Sequence, residues 1–137
     1  MPNESTSQIH DIVGAVKAMP SMRQLQPEKF AEKEGWADRV ARNSVIKSTQ
    51  LRKIFHYVKD LKREFQKSEK GFNRAKVAML MPMLAYAKGR NLIPEDFYEL
   101  MSLCFGQQRC SSVDDFNSAA DFLEAIMAYH KYHHPKD

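Results

Sequence analysis

The chain has 137 residues and a formal net charge of +4; 43% of the residues are hydrophobic, 28% are charged and five are glycine. This length and composition predict one compact domain and exclude a disordered or collagen-like protein. The longest apolar run, residues 77–87, is much shorter than the ~20 residues that a membrane-spanning helix requires, and the N-terminal sequence MPNESTSQIHD lacks the pattern of a secretory signal. We therefore expect a cytoplasmic protein with no membrane segment.

The N-terminal segment carries only a weak helical pattern. The apolar residues between Ile9 and Val16 have the spacing of one short amphipathic helix, which Gly14 weakens and Pro20 bounds. We therefore predict a flexible, lightly docked N-terminal arm over residues 1–26 and a single all-helical domain over residues 27–137.

The domain begins with two predicted helices. The first covers about residues 28–43, because Pro27 suits a first helical turn and acidic residues follow it. The second has the sequence STQLRKIFHYVKDLKREFQK, residues 48–67, in which apolar residues recur every three or four positions and define one buried face. Gly71 can end this helix through a positive backbone φ angle.

The next predicted helix, residues 72–88, is interrupted by a proline. It is apolar on nearly all sides from residue 77 onward, which predicts that it forms the centre of the core. Pro82 crowds the carbonyl group of Ala78, so the helix must kink or break near Met81. This position is also a candidate hinge, through which two protomers could exchange half a helix.

Two further helices complete the predicted domain. One covers residues 94–105, and the last runs from a capping pair formed by Ser112 and Asp115 to about residue 133. No segment has the alternating pattern of a strand. The predicted fold is therefore all-α, a compact five-helix bundle with a proline-kinked central helix.

Charge is distributed unevenly along the chain. Residues 1–46 are neutral overall, residues 47–90 carry twelve lysines and arginines against three acidic residues, and residues 91–137 carry three against eight. Within residues 48–67 the basic side chains recur at helical spacing, next to the apolar face. Such a concentrated positive stripe favours binding to nucleic acid through phosphates, without reading of bases.

The sequence offers little support for catalysis. Phosphate-binding loops of the GxxxxGK[ST] and GxGxxG types are missing. His130, His133 and His134 have a spacing that can place two imidazoles on one metal ion, so a small metal-dependent enzyme stays an alternative, although no carboxylate or thiol flanks them. We predict no enzyme activity and no cofactor, and we expect Cys104 and Cys110 to be free buried thiols.

Two passages, STQLRKIFHYVKDL and PMLAYAKGR, resemble the small subunit of the type III-A CRISPR interference complex, the Csm complex. The resemblance covers about residues 30–133, and its most specific part is the PxLAYAxGR passage. It implies a non-catalytic structural subunit, present in several stacked copies, that contacts target RNA and supports guide–target pairing in antiviral defence. The implied partners are the target and guide RNA duplex, the other Csm subunits and further copies of this chain, with no small-molecule substrate.

The resemblance also implies where RNA lies. The family's basic surface follows the target strand, and its matching positions in this chain are Arg52, Lys53 and Arg90. Met81 and Met83 stand where the family commonly has basic residues, so no RNA contact is expected at that turn. With the positions that helix geometry adds, the predicted RNA-binding residues are Lys47, Arg52, Lys53, Lys59, Arg63, Arg74, Lys88 and Arg90. The alternative is a helical protein–protein adaptor whose basic face docks an acidic partner, because both functions need the same charges.

Overall fold

The structure is a computed structural model that describes residues 8–67 and 71–136. Within these residues every regular element is helical, which confirms the predicted all-α class. None of the helices described there is both long and apolar enough to cross a bilayer. In chain order the elements are α1 (His10–Ala18), a 3-10 helix (Met22–Gln24), α2 (Pro27–Phe30), α3 (Trp36–Asn43), α4 (Ser48–Lys67), α5 (Arg74–Ala78), α6 (Leu80–Gly89), α7 (Glu95–Phe105) and α8 (Val113–His133).

The first predicted helix of the domain is divided into α2 and α3, so the predicted five-helix bundle does not match the structure. The division falls at Glu34 and Gly35, where Glu34 has a φ angle of 70°. A Cβ atom on Gly35 would lie 2.8 Å from the carbonyl oxygen of Glu32, so the turn requires glycine. The N–H of Glu34 donates a 2.8 Å hydrogen bond to the carboxylate of Asp38, which anchors the turn to α3.

The predicted central helix is also divided, at Met79, two residues before Met81, near which a kink or break was predicted. α5 ends at Ala78, and Pro82 lies in the first turn of α6. Proline is tolerated there because the N–H groups of a first turn have no intrahelical partner. Its ring would collide with the carbonyl of Ala78 in a continuous helix, so the physical reason for the break is the predicted one. The proline-kinked central helix is therefore two helices.

α8, and not the segment around Pro82, is the centre of the core. α8 packs against α3, α4 and the 3-10 helix, whereas α6 packs against α7 and α4. Met79 and Tyr86 are each 60% exposed, so the segment that the sequence placed at the centre has an open side. Four aromatic rings pack where α8 meets α4 and α7, with centroid separations of 5.1–6.5 Å, and they belong to Phe65, Phe72, Phe105 and Phe116.

The described part of the predicted N-terminal arm packs into this same core. Ile12 and Val16 are fully buried, and α1 lies against α7. Arg109 donates from Nε to the carbonyl of Val16 at 3.0 Å and from Nη2 to the carbonyl of Lys17 at 2.5 Å, so it satisfies two groups at the end of α1. This packing is closer than the lightly docked arm that the sequence predicted. The boundary at residue 26 stays a prediction, and residues 1–7 lie outside the described residues.

The predicted helix cap and the two cysteines are found as expected. The Ser112 hydroxyl accepts the N–H of Asp115 at 3.2 Å. The Asp115 carboxylate accepts the N–H groups of Arg23 and Ser111 at 2.9 and 3.1 Å, which joins the 3-10 helix to the start of α8. Cys104 and Cys110 are free and buried. Burial raises the pKa of both thiols, and that of Cys110 reaches about 12 although Arg74 lies close by.

Candidate nucleic-acid interface

The outward face of α4 carries the basic residues that the sequence predicted for nucleic-acid binding. The opposite face, which includes Leu51, Ile54 and Val58, is buried in the core. Arg52, Lys53, Lys59 and Arg63 are exposed. At a rise of ~1.5 Å per residue the side chains from Arg52 to Arg63 span about 16 Å of the helix surface. α4 therefore has the amphipathic character that its pattern indicated.

Most of these cations are free of acidic partners. Among the described residues no carboxylate pairs with Lys47, Arg52, Lys53 or Lys59. Arg63 is the exception on this face, because its Nη1 atom lies 3.3 Å from Oδ1 of Asp60 one turn earlier. The outward face of α4 thus retains a net positive potential that an anion can neutralise.

On both sides of this face, lysine side chains form ion pairs with carboxylates of the same chain. Lys62, on the side of α4 that meets α8, forms a 2.8 Å ion pair with Asp121. On the other side Lys76 of α5 pairs with Glu64, and the Tyr57 hydroxyl donates to the carbonyl of Lys76 at 2.9 Å. Lys62 and Lys76 are therefore paired within the fold, whereas Arg52, Lys53 and Lys59 have no carboxylate partner among the described residues.

A groove between α4 and α6 joins Lys53 to the second predicted passage. We call this the α4–α6 groove; its volume is about 420 Å³, and it is lined by Gln50, Lys53, Pro82, Met83 and Tyr86. Arg90, just beyond α6, donates from Nη1 to the Tyr86 hydroxyl at 2.9 Å, and its guanidinium carbon lies 5.6 Å from the centroid of the Tyr86 ring. Tyr86 thus lines the groove together with Lys53 and is hydrogen-bonded to Arg90.

Lys47 lies at the start of α4, next to the loop that follows Arg90. Its backbone N–H donates to the carbonyl of Leu92 at 3.0 Å, which fixes the α3–α4 connection against that loop. A shallow depression there is lined by residues 45–49 together with Asn91 and Leu92. The Lys47 side chain is exposed beside it, so it extends the positive surface from α4 toward the end of α6.

Two of the predicted residues are engaged within the fold. Nη1 of Arg74 donates to the carbonyl oxygens of Phe105 and Cys110, each at 2.9 Å, and thereby caps the C-terminal end of α7. Nζ of Lys88 lies 3.3 Å from Oε1 of Glu95. Arg74 therefore has a structural role and Lys88 is paired, whereas the other six predicted residues, Lys47, Arg52, Lys53, Lys59, Arg63 and Arg90, are exposed.

The histidines near the C-terminus do not form the metal centre that was the alternative. Nε2 of His133 lies 2.6 Å from Oδ1 of Asp38 in α3, and Nε2 of His130 lies 3.2 Å from the carbonyl oxygen of Ile46. The His134 ring lies against the His130 ring, with centroids 4.6 Å apart and the planes tilted by 40°. Over residues 8–67 and 71–136 no group of three or more histidine, cysteine or acidic side chains is placed to hold a metal ion. The cluster instead joins α8 to α3 and to the start of α4.

Comparison with known protein families identifies the chain. The model of a family described as Csm2 Type III-A matches residues 24–136, which is most of the sequence. The chain belongs to this family. It is therefore the small structural subunit of the type III-A Csm complex, which associates with the other Csm subunits and is not a known catalytic component. No curated protein and no solved structure matches the chain.

The family match spans both α4 and α6 and thus includes the whole α4–α6 groove. Sequence reasoning selected Lys53 of α4 and Arg90, just beyond α6, but missed Tyr86, which lines the groove with Lys53 and is hydrogen-bonded to Arg90. The available signal was the spacing of Pro82, Tyr86 and Arg90 at i, i+4 and i+8, which places all three along one side of the helix. Because Tyr86 lies in an apolar passage, its sequence context indicates a buried side chain, and only the packing of the helices shows that it is exposed.

Proposed function

We propose that this member of the Csm2 family binds the backbone of target RNA through the outward face of α4 and the adjoining end of α6, and thereby stabilises guide–target pairing in antiviral defence. The observation that carries the proposal is the position of Tyr86, which lines the α4–α6 groove together with Lys53 and is hydrogen-bonded to Arg90, so that it adjoins basic residues of both passages. The proposed contacts are those of Lys47, Arg52, Lys53, Lys59, Arg63 and Arg90.

The charge pattern supports phosphate contacts over the docking of an acidic protein. The cations stand one to two helical turns apart along α4, a spacing of ~6–11 Å, so successive side chains can reach separate phosphates of one strand. Contacts of this kind are independent of RNA sequence. Several copies of the chain, stacked along the complex, would repeat the surface along the target.

The first prediction concerns RNA binding by the purified full-length chain. If each of the six proposed side chains neutralises one phosphate, the logarithm of the affinity for single-stranded RNA should fall against the logarithm of salt concentration with a slope near −4, at about −0.7 per contact. Replacing Arg52→Gln and Lys59→Gln together should reduce the slope to about −3 and weaken binding to all RNA sequences alike. Fluorescence anisotropy of a labelled RNA, titrated at several salt concentrations, measures both quantities.

Lys33→Gln is the matched control. Lys33 is exposed, but it lies beside Tyr129 and Tyr132 of α8, away from the outward face of α4. Its removal should change affinity only slightly and leave the slope unaltered. If the chain fails to bind RNA at low salt while it binds an acidic Csm subunit through Arg52 and Lys59, the adaptor function replaces the proposed one.

A further inference from the structure

Tyr86 presents an aromatic ring at the centre of the proposed RNA surface. It is 60% exposed, although it belongs to a largely apolar helix in which Leu84 and Ala87 are fully buried. Large aromatic side chains are usually covered in a folded domain, and one left open beside cations is suited to contact a ligand. The Tyr86 ring is therefore part of the molecular surface and does not contribute to the core.

The ring is held in place by its neighbours. Arg90 is one helical turn beyond Tyr86 and donates to its hydroxyl at 2.9 Å, with the guanidinium carbon 5.6 Å from the ring centroid. The bond restricts the rotation of both side chains, so less conformational entropy is lost when a ligand binds. The pair thus forms a preorganised platform of one aromatic ring and one planar cation.

The α4–α6 groove beside this platform has apolar walls and a positive rim. Pro82 and Met83 supply apolar surface next to Tyr86, while Lys53 stands on the α4 side and Arg90 lies beyond the tyrosine. Single-stranded nucleic acids are bound at such places, where bases stack on aromatic rings and flanking phosphates meet cations. A helical segment of a protein could pack on the apolar wall, but the positive charges at both ends of the groove favour a ligand that carries negative charges.

We infer that the α4–α6 groove binds an unpaired nucleobase, stacked on Tyr86, with Lys53 and Arg90 on the phosphates to either side of it. This inference rests on the proposed RNA binding and adds to it a contact that depends on bases. It also assigns an RNA contact to the turn at Pro82, where the sequence led us to expect none, because Pro82 and Met83 form an apolar wall there. Stacking accepts any base, so the contact adds affinity without adding sequence specificity.

The test compares two ligands that differ only in their bases. A short uridine oligomer and an oligomer of the same length made of abasic ribose phosphates carry the same charge. The full-length chain should bind the uridine oligomer roughly 5- to 100-fold more tightly, as expected for stacking of one base, with equal salt slopes for both. Anisotropy titrations at fixed low salt give the ratio of the two affinities.

Variants of Tyr86 test whether the difference between the two affinities arises in the α4–α6 groove. Tyr86→Ala should lower the affinity for the uridine oligomer to that for the abasic one, while Tyr86→Phe should keep most of the preference because the ring remains. Tyr132→Ala is the matched control, since Tyr132 is 65% exposed but lies on α8 beside Lys33. It should leave both affinities unchanged, and circular dichroism verifies that each variant is folded.

The outcomes separate this inference from the proposed function. Equal affinity for both oligomers, with the expected salt slope, would overturn base stacking and leave phosphate binding intact. A base preference that survives Tyr86→Ala would place the stacked base elsewhere and also overturn the assignment. Absence of binding to either oligomer at low salt would overturn the proposed RNA binding and the inference with it.

Discussion

Asp38 is a buried carboxylate whose ionisation is linked to folding. It is 1% exposed, and burial alone raises its pKa. The hydrogen bonds from the Glu34 N–H and from His133, together with the charge of Arg42, outweigh burial, so the pKa lies below its usual value of 3.8. A carboxyl group with a depressed pKa stabilises the folded state above its unfolded pKa and loses this contribution as the pH falls through the folded value.

Asp38→Asn tests this link. The amide keeps an acceptor for Glu34 but loses the charge, so the free energy of unfolding at pH 7 should fall by about 1–2 kcal/mol. The decrease in stability between pH 5 and pH 3 should be shallower than in the unaltered chain, because this carboxyl no longer takes up a proton on unfolding. Urea unfolding followed by circular dichroism at several pH values measures both effects.

Asp11→Asn provides the comparison. Asp11 also has a lowered pKa, owing mainly to its hydrogen bond with Arg39, but its side chain is 64% exposed. Solvent screening reduces the energy of exposed pairs, so this replacement should cost less than Asp38→Asn. Equal costs for the two variants would contradict the importance of burial at Asp38.

At the scale of elements, the ends of helices follow from short sequence signals, but the breaks within them do not. Ser112 caps α8 as predicted, because a cap depends on residues three positions apart. The break at Gly35 depends on the approach of its backbone to the carbonyl of Glu32, and the one at Met79 lies three residues before the proline that causes it. Sequence patterns give the cause of such breaks more readily than their position.

The helix α1 is weak in isolation and depends on a residue that is distant in the sequence. Nine residues with a glycine at their centre form an unstable helix in isolation. In the structure Arg109, which is 93 residues from Val16, binds the carbonyls that end α1. The sequence pattern of residues 1–26 contains no trace of this partner, so a flexible arm was the natural prediction.

Arg109→Ala should therefore release α1. Two carbonyls lose charged hydrogen bonds worth about 1.5–3 kcal/mol each before compensation by water, so hydrogen exchange in residues 10–18 should accelerate strongly while α8 remains protected. Hydrogen exchange with mass spectrometry measures both regions. Arg23→Ala is the control, because the Arg23 side chain is 56% exposed and lies 3.9 Å from Asp115. Unchanged protection of α1 in Arg109→Ala would contradict the anchoring role.

At the scale of the whole molecule, the aromatic cluster holds α4, α7 and α8 together. The Phe116 ring has centroid distances of 5.1 Å to Phe65, 5.8 Å to Phe105 and 6.5 Å to Phe72, and Phe116 is fully buried. Edge-to-face packing of this kind adds to the effect of burial. Because the ring touches residues from several elements, its removal affects the entire core.

Phe116→Ala should lower the free energy of unfolding by about 3–5 kcal/mol, as is usual for a large cavity in a core. Phe72→Ala, in the same cluster but only half-buried, should cost less because water can reach the vacated space. Urea unfolding of the full chain compares the two variants. A smaller loss for Phe116 than for Phe72 would show that the core relaxes around position 116.

The sequence predicts the helical class, the basic face of α4 and the buried thiols, because each depends on local spacing or composition. It does not predict the centre of the core, since the segment around Pro82 is more apolar than α8, and only packing shows that α8 has more neighbouring elements. The same holds for Arg74, whose charge indicated RNA but whose guanidinium caps α7. Charge alone does not distinguish a cation that binds a ligand from one that binds a carbonyl.

The burial of Cys104 and Cys110 makes the chain convenient for chemical labelling. Thiols react with alkylating reagents as thiolates, and burial raises the pKa of both cysteines far above neutral pH. A single cysteine introduced at the exposed Gln66, beside Lys59 and Arg63, would therefore be the one reactive thiol of the folded chain. A fluorophore attached there would report on a strand passing along α4 while both natural cysteines stay in place.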